Sequence, residues 1–169
     1  MTGVQTCALP IWTIAQEFAC GLSFVPEAQL QAVASRNLGK AQIFATTHKI
    51  PTSYDTYEAL AKDEDVDVIY IATPHFRHKR DCLLCLNYGK PVLCEKPLAM
   101  NAAEAKEIVS VARNRGVFCM EAMWMRFMPL IKETQGLIQL GKIGEVRMLK
   151  ADFGYPTEFD PENRFFNLA

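Results

Sequence analysis

The sequence predicts an α/β protein: a doubly wound parallel sheet, followed by the start of a second α/β domain with an antiparallel sheet. Strand and helix patterns alternate with short connections from residue 13 to about residue 121, as in repeated strand-helix-strand units. The strand pattern at 65–72 is apolar almost throughout, which favours a parallel strand covered on both faces. From 145 to 155 apolar and polar residues alternate, which is typical of a half-exposed strand.

Helical periodicity and boundary residues define the predicted elements. Asn37 is a predicted N-cap, and Gly89, Gly116 and Gly141 are predicted stop signals. The predicted helices are 14–24, 38–48, 57–61, 75–87, 102–115 and 129–140. The predicted strands are 30–34, 65–72, 91–95, 117–122 and 145–155.

Length and composition limit the class of protein. The chain has 169 residues, 50% of them hydrophobic and 22% charged, which suffices for one cored domain with part of a second. We assign residues 13–122 to the first domain and 123–169 to the beginning of the second. The net charge of -1 and the scattered Lys and Arg residues argue against a nucleic-acid partner. No apolar run approaches the roughly 18 to 20 residues that cross a membrane.

Six cysteines raise the question of disulfides or metal. Cys82, Cys85, Cys94 and Cys119 lie within apolar helix or strand patterns, as buried free thiols do. We therefore expect a reduced, cytoplasmic protein. The spacing of Cys82 and Cys85 also suits a metal or redox pair, but no second pair or histidine cluster completes such a site, so no metal is predicted.

Residues that follow the strands are the candidate site, because ligands of parallel α/β sheets bind beyond the carboxyl ends of the strands. Ser35 and Arg36 follow the strand 30–34. A hydroxyl followed by Arg suits the extra phosphate of NADP, whereas an acidic residue would favour NAD. The alternative is an ordinary solvated turn and helix cap.

The next strand is followed by Thr73, Pro74, His75 and His78. Thr73 and Pro74 suit a tight turn against a cofactor, and a histidine in the first turn of the following helix suits the same crevice. A surface or capping histidine is the equally weighted alternative.

Opposite charges end the strand 91–95, where Glu95 is followed by Lys96. A lysine between apolar walls and a cationic nicotinamide ring would have a lowered pKa, suited to proton transfer or to polarising a substrate hydroxyl. The alternative is a structural ion pair at the edge of the sheet.

Trp124 and Arg126 follow the strand 117–122. An aromatic side chain at this point suits an apolar wall for a substrate. It equally suits packing between two domains.

Taken together, these motifs resemble the glucose-fructose oxidoreductase and inositol dehydrogenase family (Gfo/Idh/MocA) of NAD(P)-dependent oxidoreductases, over about residues 13–169. The combination is similar to the branch that contains dimeric dihydrodiol dehydrogenase and NADP-dependent D-xylose dehydrogenase. The motifs are Glu95-Lys96-Pro97, Ala34-Ser35-Arg36, Ala72-Thr73-Pro74 with His78, and residues 120–127.

The resemblance implies a Rossmann domain, followed by an α/β domain whose open sheet supports a homodimer and covers the nicotinamide. Hydride would pass between a sugar or diol carbon and NADP, with NAD as the other possible cofactor. Lys96 would be catalytic. The expected cofactor-binding residues are Ile14, Ala15, Ser35, Arg36, Thr73, Pro74, His75, His78, Glu95 and Lys96. The expected substrate-binding residues are Trp124, Arg126 and Phe153.

The sequence departs from the family pattern at two places. Pro10 and Trp12 stand where two glycines of the phosphate-binding turn belong, and a Trp side chain there would obstruct the pyrophosphate. The family's downstream Asp and Tyr come from a segment that this chain does not contain. Residues 1–11 resemble the translation of a sequencing-library adapter, so we expect residues 1–12 to be non-native and the family's first strand to be missing. A divergent first strand at 5–12 is the alternative.

Two functions of different classes follow. The first is an NADP-dependent sugar or diol dehydrogenase, of which residues 1–169 alone would be an inactive fragment. The alternative is a non-catalytic nucleotide-binding sensor or regulator of the same fold. Lys96 favours the enzyme.

Overall fold

The computed structural model describes the backbone of residues 4–9, and residues 13–154, 156 and 159. The chain divides into two compact units, residues 1–124 and residues 125–169. The first unit contains the sheet. Pro10, Trp12 and most residues after 154 lie outside the described part, so the two glycine positions of the phosphate-binding turn are not described.

A single six-stranded sheet forms the first unit, in the order β3-β2-β1-β4-β5-β6. Every neighbouring pair of strands is parallel. The strands are β1 (Val4–Leu9), β2 (Ala28–Ala34), β3 (Thr52–Tyr54), β4 (Val68–Ile71), β5 (Val92–Cys94) and β6 (Cys119–Glu121). This confirms the predicted parallel α/β fold, and the winding reverses direction between β1 and β4.

Among the described residues, five helices of the first unit connect the strands and cover both faces of the sheet, and a sixth belongs to the second unit. They are α1 (Thr13–Leu22), α2 (Leu38–His48), α3 (Tyr57–Lys62), α4 (His78–Asn87), α5 (Ala102–Arg115) and α6 (Pro129–Gln139). A single 3-10 turn, His75–Arg77, leads into α4, and another, Trp124–Phe127, precedes α6. Predicted boundary residues perform their roles: the Asn37 side chain accepts a hydrogen bond from the Lys40 N–H, and Gly116 ends α5 with φ 64°.

Two apolar cores lie on opposite faces of the sheet. One joins α3, α4 and α5 to the sheet through residues such as Leu60, Cys85 and Ile108. The other joins α1 and α2 to it through residues such as Ala15 and Phe44. The continuous apolar pattern of β4 follows from this arrangement, because Ile69 packs into the first core and Tyr70 into the second.

Strand β1 fills the central position of the sheet. Val4–Leu9 pairs with β2 on one side and with β4 on the other. A strand is thus present where the sequence was expected to lack the family's first strand, and it is paired on both sides. The non-native origin of residues 1–12 stays a prediction.

Two elements differ from the sequence-based expectations. The three-residue strand β3 was not predicted; it is too short to show a periodicity, and its pairing with β2 defines it. The predicted strand at 145–155 was wrong for residues 145–154, which form no strand. A strand needs a paired neighbour for its backbone groups, and the part of the second unit that the structure describes supplies none. Tyr155 lies outside the described residues.

Within the described ranges, the longest apolar helices fall short of the length and hydropathy that a membrane span requires.

Candidate functional site

The carboxyl ends of the parallel strands define the candidate site. Ser35 follows β2, Ala72 follows β4, Glu95 follows β5 and Ala122 follows β6. Because these strands are parallel, the four connections share one edge of the sheet. The reversal of winding between β1 and β4 lies at the same edge, and in open α/β sheets such a reversal opens a crevice for ligands.

The turn formed by Glu95, Lys96 and Pro97 is fixed by hydrogen bonds at this edge. The Glu95 backbone N–H donates to the Ile71 carbonyl oxygen at 2.8 Å. The Glu95 carboxylate accepts from the Tyr70 hydroxyl at 2.8 Å and from the Lys96 backbone N–H at 3.1 Å. The peptide bond between Lys96 and Pro97 is cis. Glu95 therefore shapes the turn that presents Lys96.

His78 joins this turn to the turn after β4. Its ring is fully buried, with Nε2 2.7 Å from the Thr73 carbonyl oxygen and Nδ1 2.7 Å from the Pro97 carbonyl oxygen. Carbonyl oxygens only accept, so a neutral ring donates to one of the two at a time. The His78 ring therefore lies between the turn after β4 and the turn after β5, and it is not a surface or capping histidine.

Glu121 holds the segment after Lys96 from the neighbouring strand β6. This residue ends β6, and its Oε1 atom accepts a hydrogen bond from the Leu98 backbone N–H at 2.8 Å. A carboxylate that accepts from a backbone N–H makes one of the stronger hydrogen bonds in proteins. The turn is thus held by β4, β6 and α4 together.

Lys96 itself is exposed. The Glu95 carboxylate bonds to Tyr70 and to the Lys96 backbone, and the salt bridges found among the described residues do not include the Lys96 ammonium. This argues against the alternative in which Glu95 and Lys96 form a structural ion pair. The exposed Lys96 ammonium therefore forms no salt bridge with the described residues.

Tyr70 supports Glu95 from inside the sheet. Its ring stacks on Phe18 with centroids 3.8 Å apart. Burial, followed by the hydrogen bond to Glu95, raises the pKa of the Tyr70 phenol far above its usual value. The phenol is therefore a permanent donor, and the Glu95 carboxylate has a fixed partner.

The turn after β2 combines a buried hydroxyl with an exposed guanidinium. Ser35 Oγ accepts a hydrogen bond from the Asn37 backbone N–H at 3.2 Å, and Arg36 is exposed. Ser35 thus has the turn-forming role that the sequence left open as an alternative. Arg36 can still meet a ligand from solvent.

The Thr73 hydroxyl at the end of β4 is relevant to whether a dinucleotide fits this edge of the sheet. Its side chain is buried at the end of β4, and Oγ1 has no hydrogen-bond partner among the described residues. Buried hydroxyls in proteins are normally paired. An unpaired hydroxyl beside the crevice, together with the exposed Arg36 and Lys96, fits a polar ligand such as a dinucleotide.

The remaining candidate residues are less closely grouped. Ala15 is fully buried, so only its backbone could meet a cofactor, while Ile14 is partly exposed on the first turn of α1. Trp124 is 53% exposed at the end of the first unit. Arg126 and Phe153 are exposed residues of the second unit. His75 meets the His78 ring edge-on, with centroids 5.6 Å apart.

The cysteines of the first core are free thiols. Burial raises the pKa of Cys85, and the pKa of Cys82 is raised first by its hydrogen bond with Cys94 and then by burial. Protonated thiols are poor metal ligands. Across the part of the chain that the structure describes, no three His, Cys, Asp or Glu side chains are grouped as a metal site.

Comparison with known proteins agrees with this geometry. Residues 13–123 match the model of an oxidoreductase family with an NAD-binding Rossmann fold, the Gfo/Idh/MocA family. The chain belongs to this family. The solved structure of an NAD-binding oxidoreductase from Klebsiella pneumoniae is 27% identical to this chain, with a TM-score of 0.80. The match covers 86% of this chain and 41% of that one. A 3-ketoreductase from Actinomadura kijaniata, solved with NADP and TDP-benzene, is 29% identical with a TM-score of 0.78, covering 86% and 45%.

Curated relatives in the family are more similar in sequence. Trans-1,2-dihydrobenzene-1,2-diol dehydrogenase from Mus musculus is 47% identical over 158 residues, which are 92% of this chain and 47% of the relative. The Bos taurus protein of the same name is 48% identical over 143 residues, 83% and 43% of the two chains. The chain thus spans less than half the length of these relatives.

Two residues that shape the site, Tyr70 and Glu121, were not predicted from the sequence as site residues. Tyr70 and Glu121 lie within strands, and only the strand order brings them beside Glu95 and Leu98. The sequence did show a tyrosine inside the otherwise aliphatic β4 and a glutamate at the end of β6. It did not show which residues would be their hydrogen-bond partners.

Proposed function

We propose that the whole protein is an NADP-dependent dehydrogenase that acts on a hydroxyl-bearing carbon of a sugar or trans-diol. The observation that carries the proposal is the Lys96 turn, which is tied to β4, β6 and α4 and presents an ammonium without a salt-bridge partner among the described residues. The named dihydrodiol dehydrogenases among the relatives support the reaction class.

The cofactor assignment rests on three residues. The Thr73 hydroxyl, which has no hydrogen-bond partner in the described part of the chain, would meet the dinucleotide at the end of β4. Ser35 shapes the turn that carries Arg36, and Arg36 would bind the 2′-phosphate that distinguishes NADP from NAD. The solved 3-ketoreductase carries NADP, which agrees with this preference, and a bound NADP would supply the hydride acceptor or donor.

Lys96 would act directly on the substrate. An ammonium has three N–H donors, so Nζ would hydrogen-bond the reacting oxygen. In the direction of carbonyl reduction the ammonium would give that oxygen a proton as hydride reaches the carbon, and oxidation of the hydroxyl would return the proton to the Lys96 amine. Glu95 cannot share this role freely, because Tyr70 and the Lys96 backbone already occupy its carboxylate. Glu95 would instead set the position of Lys96 and of the adjoining cofactor. Trp124, Arg126 and Phe153 would contact the substrate, and Ile14, Ala15, Pro74, His75 and His78 would line the cofactor side.

We also propose the cellular location and the oligomeric state of the whole protein. Free buried thiols in the first core support a cytoplasmic location. The family resemblance supports a homodimer formed through the second domain, which light scattering of the whole protein tests. Residues 1–169 alone would show negligible turnover, because Pro10 and Trp12 stand at two glycine positions of the phosphate-binding turn.

The experiment measures NADPH formation by the purified whole protein with D-xylose and cyclic trans-diols, each with NADP and with NAD. We expect product with NADP and less with NAD. Lys96→Met should lower kcat by about 100-fold or more while the cofactor still binds. Lys106→Met, which removes an exposed lysine from α5, is the matched control and should leave kcat unchanged.

Two results would contradict the proposal. If no substrate of either class yields NADPH, the dehydrogenase assignment fails. If NADP binds tightly and no hydride is transferred, the non-catalytic nucleotide-binding alternative is supported instead.

A further inference from the structure

We propose that Tyr70 is a positioning residue for the reaction: its hydroxyl holds the Glu95 carboxylate, and through Glu95 it sets the place of Lys96. The inference rests on the proposed function, since it presumes that Lys96 acts on the substrate. It extends the site into the core of the sheet, to a residue that is only 3% exposed, and to Phe18 of α1, which stacks on that residue.

The register of the sheet brings Tyr70 and Glu95 to one face. Tyr70 pairs with Leu93 in the parallel ladder between β4 and β5. The Glu95 backbone N–H continues this ladder by donating to the Ile71 carbonyl oxygen at 2.8 Å. Side chains two positions apart along a strand point to the same face, so Glu95 shares the face of Leu93 and Tyr70. It lies one step nearer the carboxyl edge of the sheet, within reach of the long tyrosine side chain.

The Glu95 carboxylate bridges the core and the backbone of Lys96. Its Oε1 atom accepts from the Tyr70 hydroxyl at 2.8 Å, and its Oε2 atom accepts from the Lys96 N–H at 3.1 Å. One partner on each oxygen fixes the rotation of the carboxylate as well as its position. Rotation about the terminal torsion of a glutamate is otherwise loosely restrained. Without the hydroxyl, the Lys96 N–H would lose an acceptor of fixed direction, so Tyr70 acts on Lys96 through Glu95.

Phe18 fixes the direction of the Tyr70 hydroxyl. The two rings are stacked, with centroids 3.8 Å apart and planes 15° from parallel. Tyr70 is also buried with Ala15 and Ala19 of α1 in the second core. The phenolic oxygen lies in the plane of its ring, so a ring held against its neighbours has its hydroxyl held as well. Because the first turn of α1 would line the cofactor, Tyr70 ties the cofactor helix to the Lys96 turn.

The hydrogen bond between Tyr70 and Glu95 is strong and constant. Burial, followed by this bond, raises the pKa of the Tyr70 phenol far above its usual value, so the hydroxyl keeps its proton. A hydroxyl that donates to a carboxylate makes a charge-assisted hydrogen bond, roughly twice as strong as a bond between neutral groups. Loss of this single bond should therefore be measurable in the rate, even when the ring stays in place.

The test measures kcat and the KM for NADP in the full-length protein, with the substrate on which the wild type is most active. Tyr70→Phe keeps the ring and its stack on Phe18 and removes only the hydroxyl. We expect kcat to fall about 5- to 20-fold and the KM for NADP to change less than about twofold, because the lost bond positions a reacting group and does not bind the cofactor. A residue that merely stabilised the fold would not separate kcat from KM.

A double variant shows whether Tyr70 acts through Glu95. Glu95→Ala removes the carboxylate and lowers kcat by itself. Adding Tyr70→Phe to Glu95→Ala should lower kcat less than about twofold further, because both changes break the same contact and their effects do not add. Two independent structural effects would multiply instead.

Two further variants complete the comparison. Phe18→Leu removes the stacked ring and keeps an apolar side chain, and it should lower kcat by a smaller factor than Tyr70→Phe does. Tyr88→Phe is the matched control. The Tyr88 hydroxyl also donates to a glutamate, Glu58 Oε1, at 2.8 Å, but Tyr88 lies at the C-terminal end of α4. This variant should leave kcat unchanged.

Amide hydrogen exchange supplies a readout that needs no turnover. In the full-length protein, labelled with ¹⁵N at lysine and leucine, NMR compares two N–H groups. The Lys96 N–H bonds to Glu95, whereas the Leu98 N–H bonds to Glu121. Tyr70→Phe should raise the exchange rate at Lys96 by about threefold or more and leave that at Leu98 unchanged.

The failures are distinguishable. If the wild type forms no NADPH, the proposed function fails, and amide exchange alone decides whether Tyr70 holds the Lys96 turn. An unchanged exchange rate at Lys96 in Tyr70→Phe would overturn the inference. So would an active wild type whose kcat Tyr70→Phe does not lower, or an equal reduction in the wild-type and Glu95→Ala backgrounds. Equal increases in exchange at Lys96 and Leu98 would show general loosening and would also overturn it.

Discussion

The Nδ1 atom of His78 lies 2.7 Å from the Pro97 carbonyl oxygen. The first residue of α4 is therefore tied to the turn that follows β5, although 19 positions separate the two residues. Its Nε2 atom contacts the Thr73 carbonyl oxygen in the same way. One buried ring thus sets the spacing between two of the turns that border the crevice.

Replacing His78 should reduce stability markedly. His78→Ala removes both ring contacts, leaves two carbonyl oxygens without this partner and opens a cavity in a fully buried place. We expect the free energy of unfolding to fall by about 2–4 kcal/mol, measured by urea denaturation. His48→Ala, at the half-buried end of α2, should cost less. Equal losses in the two variants would contradict a special role for His78.

Glu121 should affect turnover through the Lys96 turn. Glu121→Ala removes the acceptor of the Leu98 N–H, whereas Glu121→Gln keeps an oxygen in the same place. In the whole protein we expect Glu121→Ala to lower kcat by about 10- to 100-fold, since small displacements of a reacting group have such effects, with little change in the KM for NADP. Glu121→Gln should restore most of the rate. Failure of Gln to exceed Ala would contradict positioning through this hydrogen bond.

Alkaline pH should destabilise the fold. Burial raises the pKa of the Cys119 thiol to about 11 and raises those of Cys85 and Tyr70 as well. The unfolded chain therefore loses these protons at lower pH than the folded chain does. Their stabilising contribution is complete below the unfolded pKa, near pH 9, and is lost as the pH rises toward the folded values. The urea midpoint should fall between pH 8 and about pH 11, and a constant midpoint would argue against protonated buried thiols.

The rate of thiol modification should differ between the exposed and the buried cysteines. In a Cys7→Ser background, the remaining cysteines are Cys20, which is exposed, Cys82, Cys85 and Cys94, which are buried, and Cys119, which is half-buried. A disulfide reagent such as DTNB should modify Cys20 rapidly at neutral pH and the buried three only on unfolding. Cys119 should react slowly. Rapid modification of all five in the native protein would show that this core opens freely.

Much of the fold was predictable because burial and periodicity are local signals. The apolar β4 and the glycine and asparagine caps of α2 and α5 follow from residue types at known spacing. Strand β3 was not predictable in this way, because its three residues are defined by pairing with β2. The strand prediction at 145–154 was wrong for the same reason. Alternating apolar and polar residues favour a strand, but they do not show whether a neighbouring strand is present to pair with it.

The site divides along similar lines. The turns after the strands could be located from the sequence, because parallel topology sends them to one edge, and this identified Thr73, Glu95 and Lys96 as candidates. The contacts that hold them could not be derived, since Tyr70, His78 and Glu121 reach their partners across 25, 19 and 23 positions of the chain. The individual site roles remain predictions, which the variants above address.

The central strand β1 joins two parts of the sheet that make no strand pairing with each other. On one side lie β2 and β3, with the turn that carries Arg36; on the other lie β4, β5 and β6, with Thr73 and Lys96. The 2′-phosphate selectivity and the hydride chemistry proposed above thus reside on separate halves. The separation of the two halves is set by the two hydrogen-bonded ladders of Val4–Leu9, so the backbone of this one strand fixes how far Arg36 lies from Thr73 and Lys96 across the sheet.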